Sequence, residues 1–189
     1  MSNSGSIYRR MVRAAALDAD LYEEVEADRG ATRQALLVVL VYSVCAGIGS
    51  GLASIPAITA VQFFVSLLLG TVSALVFWAI WSFITFLIGT KVFKGPQTSA
   101  TYTELLRTVG FSASPGVLLI LVFIPFIGWL FSFGALIWML VAMVVAVRQA
   151  LDFSTWRALG TCAVGAVLYL VLMSAVSTLL RFVILGTTI

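Results

Sequence analysis

The sequence predicts an all-α, polytopic membrane protein with five transmembrane helices, its amino terminus in the cytoplasm and its carboxyl terminus outside. Three observations support this prediction: the composition, long uncharged intervals, and basic residues on alternate sides of those intervals. Of the 189 residues, 61% are hydrophobic and only 10% are charged, whereas soluble domains average roughly 45–50% and 25%. The composition therefore excludes an ordinary soluble domain.

The uncharged intervals give the number of helices. Gln34–Thr90, Thr108–Val147 and Ala158–Leu180 contain no Asp, Glu, Lys or Arg. About 20 apolar residues form one span, so the intervals hold two, two and one helices. Strands of a membrane barrel would alternate with a period of two, and these intervals do not. The interval 108–147 could cross the membrane or re-enter, and its length favours crossing. The expected spans are approximately 35–55, 61–88, 105–124, 128–147 and 158–180.

The basic residues predict the orientation. Ten of the eleven fall on one side of the five spans, and Arg181 alone falls near the opposite end. Cytoplasmic loops of membrane proteins carry the excess of Lys and Arg, so the amino terminus is expected in the cytoplasm. Topology explains the net charge of +3 better than nucleic-acid binding does. The ten residues are Arg9, Arg10, Arg13, Arg29, Arg33, Lys91, Lys94, Arg107, Arg148 and Arg157.

Residues 1–33 predict a cytoplasmic amphipathic segment before the membrane domain of residues 34–189. Leu17, Leu21 and Val25 recur every four residues and would line one helix face, which we expect at the membrane boundary. The opposite face is acidic and has three interpretations: a solvated surface, a surface docked on the arginines of the cytoplasmic loops, or a cation or partner site. Spacing unlike a calcium-binding loop disfavours a metal. The candidate partner surface consists of Asp18, Asp20, Glu23 and Glu24.

The first span contains a pair of glycines four residues apart, Gly47 and Gly51. Small residues at this spacing let a neighbouring membrane helix approach closely. We expect a packing role for the pair, with the neighbour in this chain or in a second copy.

Charged residues gather where the third, fourth and fifth spans meet the cytoplasm. Glu104 and Arg107 are three residues apart, close enough to pair on one helix, and Asp152 is a second candidate partner for Arg107. A buried charge at this depth needs such a partner. The cluster Glu104, Arg107, Arg148, Asp152 and Arg157 is expected to hold the inner ends of these helices.

A kink is predicted in the third span, at Pro115. Proline removes one backbone donor and crowds the preceding turn. Ser112 and Ser114 can donate hydrogen bonds to the carbonyl groups released there.

Catalytic, cofactor and metal sites are not expected. The chain has no histidine, which excludes histidine acid–base chemistry and histidine metal ligands. Cys45 and Cys162 lie in predicted spans without metal-binding or redox spacing, and no phosphate-cradling glycine loop is present. We therefore expect no enzyme activity.

Several segments resemble the prokaryotic branch of the Yip1 family. They are DLYEEVEADRGATRQALLVV, YTELLRTVGFSASPGVLL, IPFIGWL and WMLVAMVVAVRQALDFSTWRAL. The resemblance implies a five-helix domain in a prokaryotic cytoplasmic membrane, with a cytoplasmic amino terminus. Eukaryotic members act in vesicle trafficking and engage prenylated Rab GTPases through a DLYGP element. This chain matches the element only at Asp20, Leu21 and Tyr22, and Glu23-Glu24 replaces Gly-Pro, which counts against GTPase binding.

Two functions remain open from the sequence. The favoured one is a non-catalytic membrane scaffold or adaptor, with lipid and a second copy or another membrane protein as its partners. The alternative is a pathway for small solutes or ions, built by an oligomer. A continuous polar cavity beside Ser112, Ser114 and Pro115 would distinguish the second from the first.

Overall fold

The computed structural model describes residues 6–95, 98 and 100–186, and their side chains except those of residues 173 and 176–186. Regular structure in this part of the chain is entirely helical. Two short helices, α1 (Ile7–Ala15) and α2 (Ala19–Ala27), precede the long ones. We refer to α1 and α2 together as the N-terminal layer.

Five helical elements follow the N-terminal layer. They are α3 (Ala31–Ala53), α4 (Ala60–Leu87) with a π-helical turn (Ile88–Val92), α5 (Tyr102–Ser112) with a 3₁₀ segment (Ser114–Phe123), α6 (Gly128–Ala150) and α7 (Thr155–Gly186). Each is long and apolar enough to cross a membrane, over Ala31–Ala53, Ala60–Val92, Tyr102–Phe123, Gly128–Ala150 and Thr155–Leu172. The predicted number of spans is confirmed.

The starts of α2, α4 and α5 are fixed by side chains that satisfy the first free backbone N–H groups. Asp18 accepts hydrogen bonds from the backbone of Asp20 and Leu21 at the start of α2. Thr59 with Gln62 and Thr101 with Glu104 form reciprocal capping boxes at the starts of α4 and α5. These caps set where the chain enters α2, α4 and α5.

Consecutive spans run antiparallel, and α3 lies parallel to α5. An added Cβ on Gly47 would lie 2.5 Å from Leu67 of α4, and one on Gly51 would lie 2.3 Å from Phe63. Residue numbers therefore increase along α3 while they decrease along the adjacent part of α4, as in an antiparallel pair. Along α5 and its 3₁₀ segment, Gly110 lies beside Ala35 and the backbone of Leu119 beside Gly49. The third element therefore runs alongside α3 for most of its length.

The N-terminal layer belongs to the same hydrophobic core as the spans. Ala14, Leu21, Tyr22 and Val25 are fully buried together with residues of α3, α5 and α6. Outward-facing side chains of α4 and α6 are apolar and exposed, including Phe64, Leu68 and Phe133, as expected for surfaces that face lipid.

Candidate functional site

The docked face of α2 is made of Leu21, Tyr22 and Val25, whose side chains have no exposed surface. They pack on α5 and α6, and the Tyr22 hydroxyl donates to the carbonyl oxygen of Ala14 at 3.2 Å. Leu17 lies outside this face, between α1 and α2, with φ of 61°. The expectation that Leu17, Leu21 and Val25 share a face on the membrane boundary was therefore wrong, because the chain turns at Leu17 and α2 packs against protein.

Arg107 anchors the C-terminal end of α2. Its side chain is only 5% exposed, and its Nε donates to the carbonyl oxygen of Val25 at 2.9 Å. Its Nη2 donates to the carbonyl oxygen of Glu26. The last carbonyl groups of a helix lack partners in the helix and carry partial negative charge, so a guanidinium there satisfies both groups.

The ion pairs proposed for Arg107 are not formed. Within the described residues, Arg107 pairs with neither Glu104 nor Asp152. The Glu104 carboxylate instead accepts from the backbone N–H of Thr101 at 2.7 Å, which caps α5. The competing backbone donors of the helix start and the carbonyl groups of α2 explain this difference from the sequence-based expectation.

The rest of the predicted cluster is exposed. Asp152 lies in the turn between α6 and α7 with φ of 51°. Arg148 and Arg157 are exposed, and neither forms an ion pair with another described residue. The tertiary structure thus uses Glu104 and Arg107 to hold helices and leaves these three side chains in solvent.

Glu26 is the titratable group that the sequence analysis missed. Burial raises the pKa of its carboxyl to about 7, helped by the negative charges of Glu104 and Asp152, while Arg107 opposes the shift. Nearby Glu23 adds to the repulsion and also accepts a hydrogen bond from Gln149 at 3.0 Å. The negative charges of Glu104, Asp152 and Glu23, the last on the same helix, therefore all act on Glu26.

A buried arginine joins α1, α2 and α3. Arg10 is 4% exposed, and its guanidinium donates to Glu24 at 2.8 and 3.0 Å, to Asp28 at 2.9 Å and to Gln34 at 3.0 Å. We call these four residues the Arg10 hub. Burial opposes ionisation of Asp28, but hydrogen bonds from Arg10 and from the backbone of Gly30 leave its pKa lowered.

Arg13 makes a second, more exposed set of ion pairs. Its guanidinium donates to Asp18 and Glu24, both at 2.6 Å. Its hydrogen bonds lower the pKa values of both carboxyls against the opposing effect of burial. The acidic surface therefore docks within the chain, on arginines of α1, whereas the sequence analysis considered those of the later loops.

Three of the four residues of the candidate partner surface are bonded to other side chains of this chain, and the fourth, Asp20, faces outward. Asp18 and Glu24 are paired as described, and Glu23 is bonded to Gln149. Asp20 is exposed. Partner binding by this surface stays a prediction.

The predicted kink residues mark the change from α5 to the 3₁₀ segment. The Ser114 hydroxyl donates to the carbonyl oxygen of Phe111 at 2.7 Å, which is the carbonyl that Pro115 would bond in an unbroken helix if it had an N–H. Ser112 donates to Val109 at 2.7 Å. Both hydroxyls are buried and turned to their own helix.

The cavity beside Ser112 is small and mostly apolar. Its volume is about 40 Å³, and Val39, Phe77, Trp78 and Met143 are among its lining residues. Trp78 is buried and donates from Nε1 to the carbonyl oxygen of Leu106 at 2.9 Å. A continuous polar cavity is not present at this place.

A larger groove opens beside the glycines of α3. It has a volume of about 360 Å³ and lies between α3, α4, α6 and the 3₁₀ segment. Its lining is rich in small and hydroxylated side chains, including Ser43, Gly47, Ser50, Ser66 and Ser132. The close packing of Gly47 and Gly51 is with α4 of the same chain, and the groove runs along that contact.

Sequence reasoning missed the residues that dock the N-terminal layer. Arg10 and Gln149 bind side chains far away in the chain, and the Glu26 carbonyl accepts from Arg107. Trp138 donates from Nε1 to the carbonyl oxygen of Ala15 at 2.7 Å. The signal available in the sequence was the polar face of α1. It contains Arg10, which the structure places on the buried side of that helix.

Chemically, the contacts of this site hold helices together. No group of three Cys, Asp or Glu side chains among the described residues could hold a metal ion. The polar atoms bind one another and the ends of helices.

The comparisons with known proteins place the chain in a family. The Yip1 domain model matches residues 19–176, which include α2 and the described spans but not α1. No curated protein and no solved structure matches the chain. Because the match covers most of the sequence and the structure supplies five spans, the chain is a multi-pass membrane protein that belongs to the Yip1 domain family.

Proposed function

We propose that this protein is a non-catalytic membrane scaffold or adaptor of a prokaryotic cytoplasmic membrane. Its amino terminus lies in the cytoplasm and its carboxyl terminus outside in this proposal. The basic residues support that orientation, because ten of the eleven lie on the side of the bundle where α3 begins and α6 ends.

The closed inner half of the bundle is the observation that carries the proposal. The N-terminal layer packs against α5 and α6 through fully buried side chains. Arg107, the only buried cation of α5, is occupied by two carbonyl groups of α2. Carriers and channels place ionisable groups along a hydrated pathway, and these groups instead lie in helix contacts.

Buried hydroxyl groups support the same conclusion. Thr85, Thr108 and Thr161 donate to carbonyl oxygens three or four residues earlier in their own helices. These bonds satisfy the hydroxyls inside an apolar bundle. Among the described residues, the buried side-chain polar atoms without a hydrogen-bond partner are Trp81 Nε1 and Ser82 Oγ, both on α4.

The lipid-facing helices supply surface for a membrane partner. Val61, Phe64, Val65 and Leu68 of α4 are exposed over one continuous stretch. In this function the stretch contacts lipid, a second copy or another membrane protein, and the docked N-terminal layer keeps the inner ends of the helices in place.

A pathway for small solutes or ions is the second candidate, and the groove of about 360 Å³ is the observation that favours it. Ser66 and Ser132 are exposed hydroxyls in its wall. An oligomer that covered the open side would convert the groove into an enclosed passage.

Flux through proteoliposomes separates the two functions. We expect the native chain and the Arg107→Ala variant to give the same proton, potassium and chloride flux as protein-free vesicles. Arg107→Ala should lower the thermal stability and leave the flux unchanged. Native flux above that of protein-free vesicles would establish the pathway instead, provided that the Ser66→Val, Ser132→Val variant returns the flux to the protein-free level. The scaffold function is tested by cross-linking in native membranes. A cysteine in place of Phe64 should cross-link to a discrete membrane partner. A cysteine in place of Asp20 tests in the same way whether the surface of α2 contacts a partner.

A further inference from the structure

Three exposed arginines adjoin residues of the Arg10 hub in the sequence. Arg9, Arg29 and Arg33 are each the chain neighbour of a hub residue, namely Arg10, Asp28 and Gln34. The hub atoms lie within 3.0 Å of the Arg10 guanidinium. A single buried side chain therefore brings three arginines from α1, the α2–α3 connection and α3 to one corner of the bundle.

These arginines have no internal partner in the described part of the structure. All three are exposed. The ion pairs of this region use Arg10 and Arg13 with the nearby carboxylates, so the negative charge of Asp28 and Glu24 is already compensated. The corner consequently presents three uncompensated guanidinium groups, a group that binds phosphate through paired N–H donors.

Exposed apolar side chains lie next to the arginines on the same helices. Tyr8 and Val12 flank Arg9 on α1, with 74% and 50% of their surfaces exposed. Leu36 and Leu37 follow Arg33 by three and four residues on α3, with 39% and 48% exposed. Positions three or four residues apart share a helix face, so Val12 adjoins Arg9, and Leu36 and Leu37 adjoin Arg33. Tyr8 lies four residues before Val12 and shares its face.

We infer that Arg9, Arg29 and Arg33 form a binding surface for the headgroup of an anionic phospholipid, with Tyr8, Val12, Leu36 and Leu37 against its acyl chains. The apolar rim selects a lipid over free phosphate, which would leave these side chains uncovered. Basic residues close to an anionic membrane surface each strengthen binding by about fivefold. This surface is independent of the scaffold proposal, because it requires only that the chain lies in a membrane.

The test uses the full chain in neutral detergent and a fluorescent short-chain phosphatidylglycerol, with binding followed by anisotropy. The Arg9→Gln, Arg29→Gln, Arg33→Gln variant should lose affinity on the order of a hundredfold. Its thermal midpoint in detergent without lipid should equal that of the native chain. Short-chain phosphatidylcholine and inorganic phosphate should compete weakly.

The matched control is Lys91→Gln, Lys94→Gln, Arg157→Gln, which removes three other exposed cations from the same end of the bundle. It should lose much less affinity, because two of its cations are ammonium groups without a guanidinium fork and no hub joins them. Equal loss in both variants would overturn the assignment in favour of general charge attraction. Equal competition by phosphate would overturn the choice of lipid.

Single substitutions keep the inference testable if the triple variant does not fold. Arg29→Gln and Arg33→Gln should each weaken phosphatidylglycerol binding by about fivefold. Unchanged affinity in both would refute the binding surface.

Discussion

Arg107 Nε donates to the carbonyl oxygen of Val25 at 2.9 Å, across 82 positions of sequence. A side chain of the third span thereby fixes the end of α2. The charge on the guanidinium strengthens the bond, because hydrogen bonds with an ionised partner exceed neutral ones. The docking of α2 therefore depends on a residue buried in the membrane domain.

Replacing Arg107 by leucine should destabilise the protein and release α2. Two buried carbonyl groups would lose a charged donor, and a hydrogen bond of this kind contributes about 1.5–3 kcal/mol. We expect a lower thermal midpoint in detergent and faster trypsin cleavage after the exposed Arg29. Arg148→Leu, at an exposed position without an ion pair among the described residues, is the control and should leave both unchanged. Equal behaviour of the two variants would contradict the anchoring role.

The Arg10 hub predicts a second stability defect. Arg10→Gln removes the buried guanidinium that binds Glu24 and Asp28, and a hydrogen bond between charged groups contributes about 1.5–3 kcal/mol; Glu24 keeps its second ion pair, with Arg13. Equilibrium unfolding in neutral detergent should show the loss. Arg9→Gln removes the same charge from the next position, which is exposed, and should unfold like the native chain. A native-like Arg10→Gln would show that the hub does not stabilise the fold.

Gly49 should tolerate substitution less well than Gly70. A Cβ at Gly49 would lie 2.1 Å from the carbonyl oxygen of Leu119, while one at Gly70 meets nothing within 4 Å. Backbone atoms cannot rotate away, so overpacking at Gly49→Ala should cost about 1–3 kcal/mol. Gly70→Ala should have an unchanged or slightly raised thermal midpoint, because alanine favours the helix. The reverse order of midpoints would refute this packing.

Glu26 predicts a pH dependence of stability near neutrality. Its pKa rises from 4.5 to about 7 in the folded protein, so the folded state binds a proton that the unfolded state has already released. Stability is therefore greatest below pH 4.5 as far as this group is concerned, and it declines as pH rises to about 7. Glu26→Gln should abolish the decline and raise the thermal midpoint at pH 8.

The control for Glu26 is Asp18, whose pKa is shifted in the opposite direction. Hydrogen bonding by Arg13 lowers it below 3.8, so its contribution is present above pH 3.8 and is lost as pH falls through the lowered value. Asp18→Asn should therefore leave the slope between pH 4.5 and 7 unchanged. A slope that survives in Glu26→Gln would assign the effect to another group.

The spans, and the change of helix type at Ser114-Pro115, were accessible from sequence because both arise locally. A hydrophobic run must form a helix in lipid, where unpaired backbone groups are costly, and Pro115 removes its own donor wherever it lies. The site was less accessible. Glu104 and Arg107 lie in the first turns of the third span, as expected, but their partners are backbone groups of Thr101, Val25 and Glu26, which carry no sequence signature.

The N-terminal layer shows the same division. Apolar residues recur every four positions and acidic residues lie opposite them, which predicted an amphipathic segment and correctly placed Leu21 and Val25 on one face. It could not show what that face contacts, since lipid and a protein surface are equally apolar. The turn at Leu17 also depends on the way α1 and α2 pack.

By itself, the sequence determined that this protein lies in a membrane, how many helices cross it, and where basic residues fall along them. These properties follow from the transfer of each segment between water and lipid, which depends on the segment alone. Only the tertiary structure decided that Arg107 holds α2, that Arg10 gathers three segments, and that Glu26 is crowded by Glu104 and Asp152. Those relationships depend on distances between residues far apart in the chain, which arise only when the helices pack.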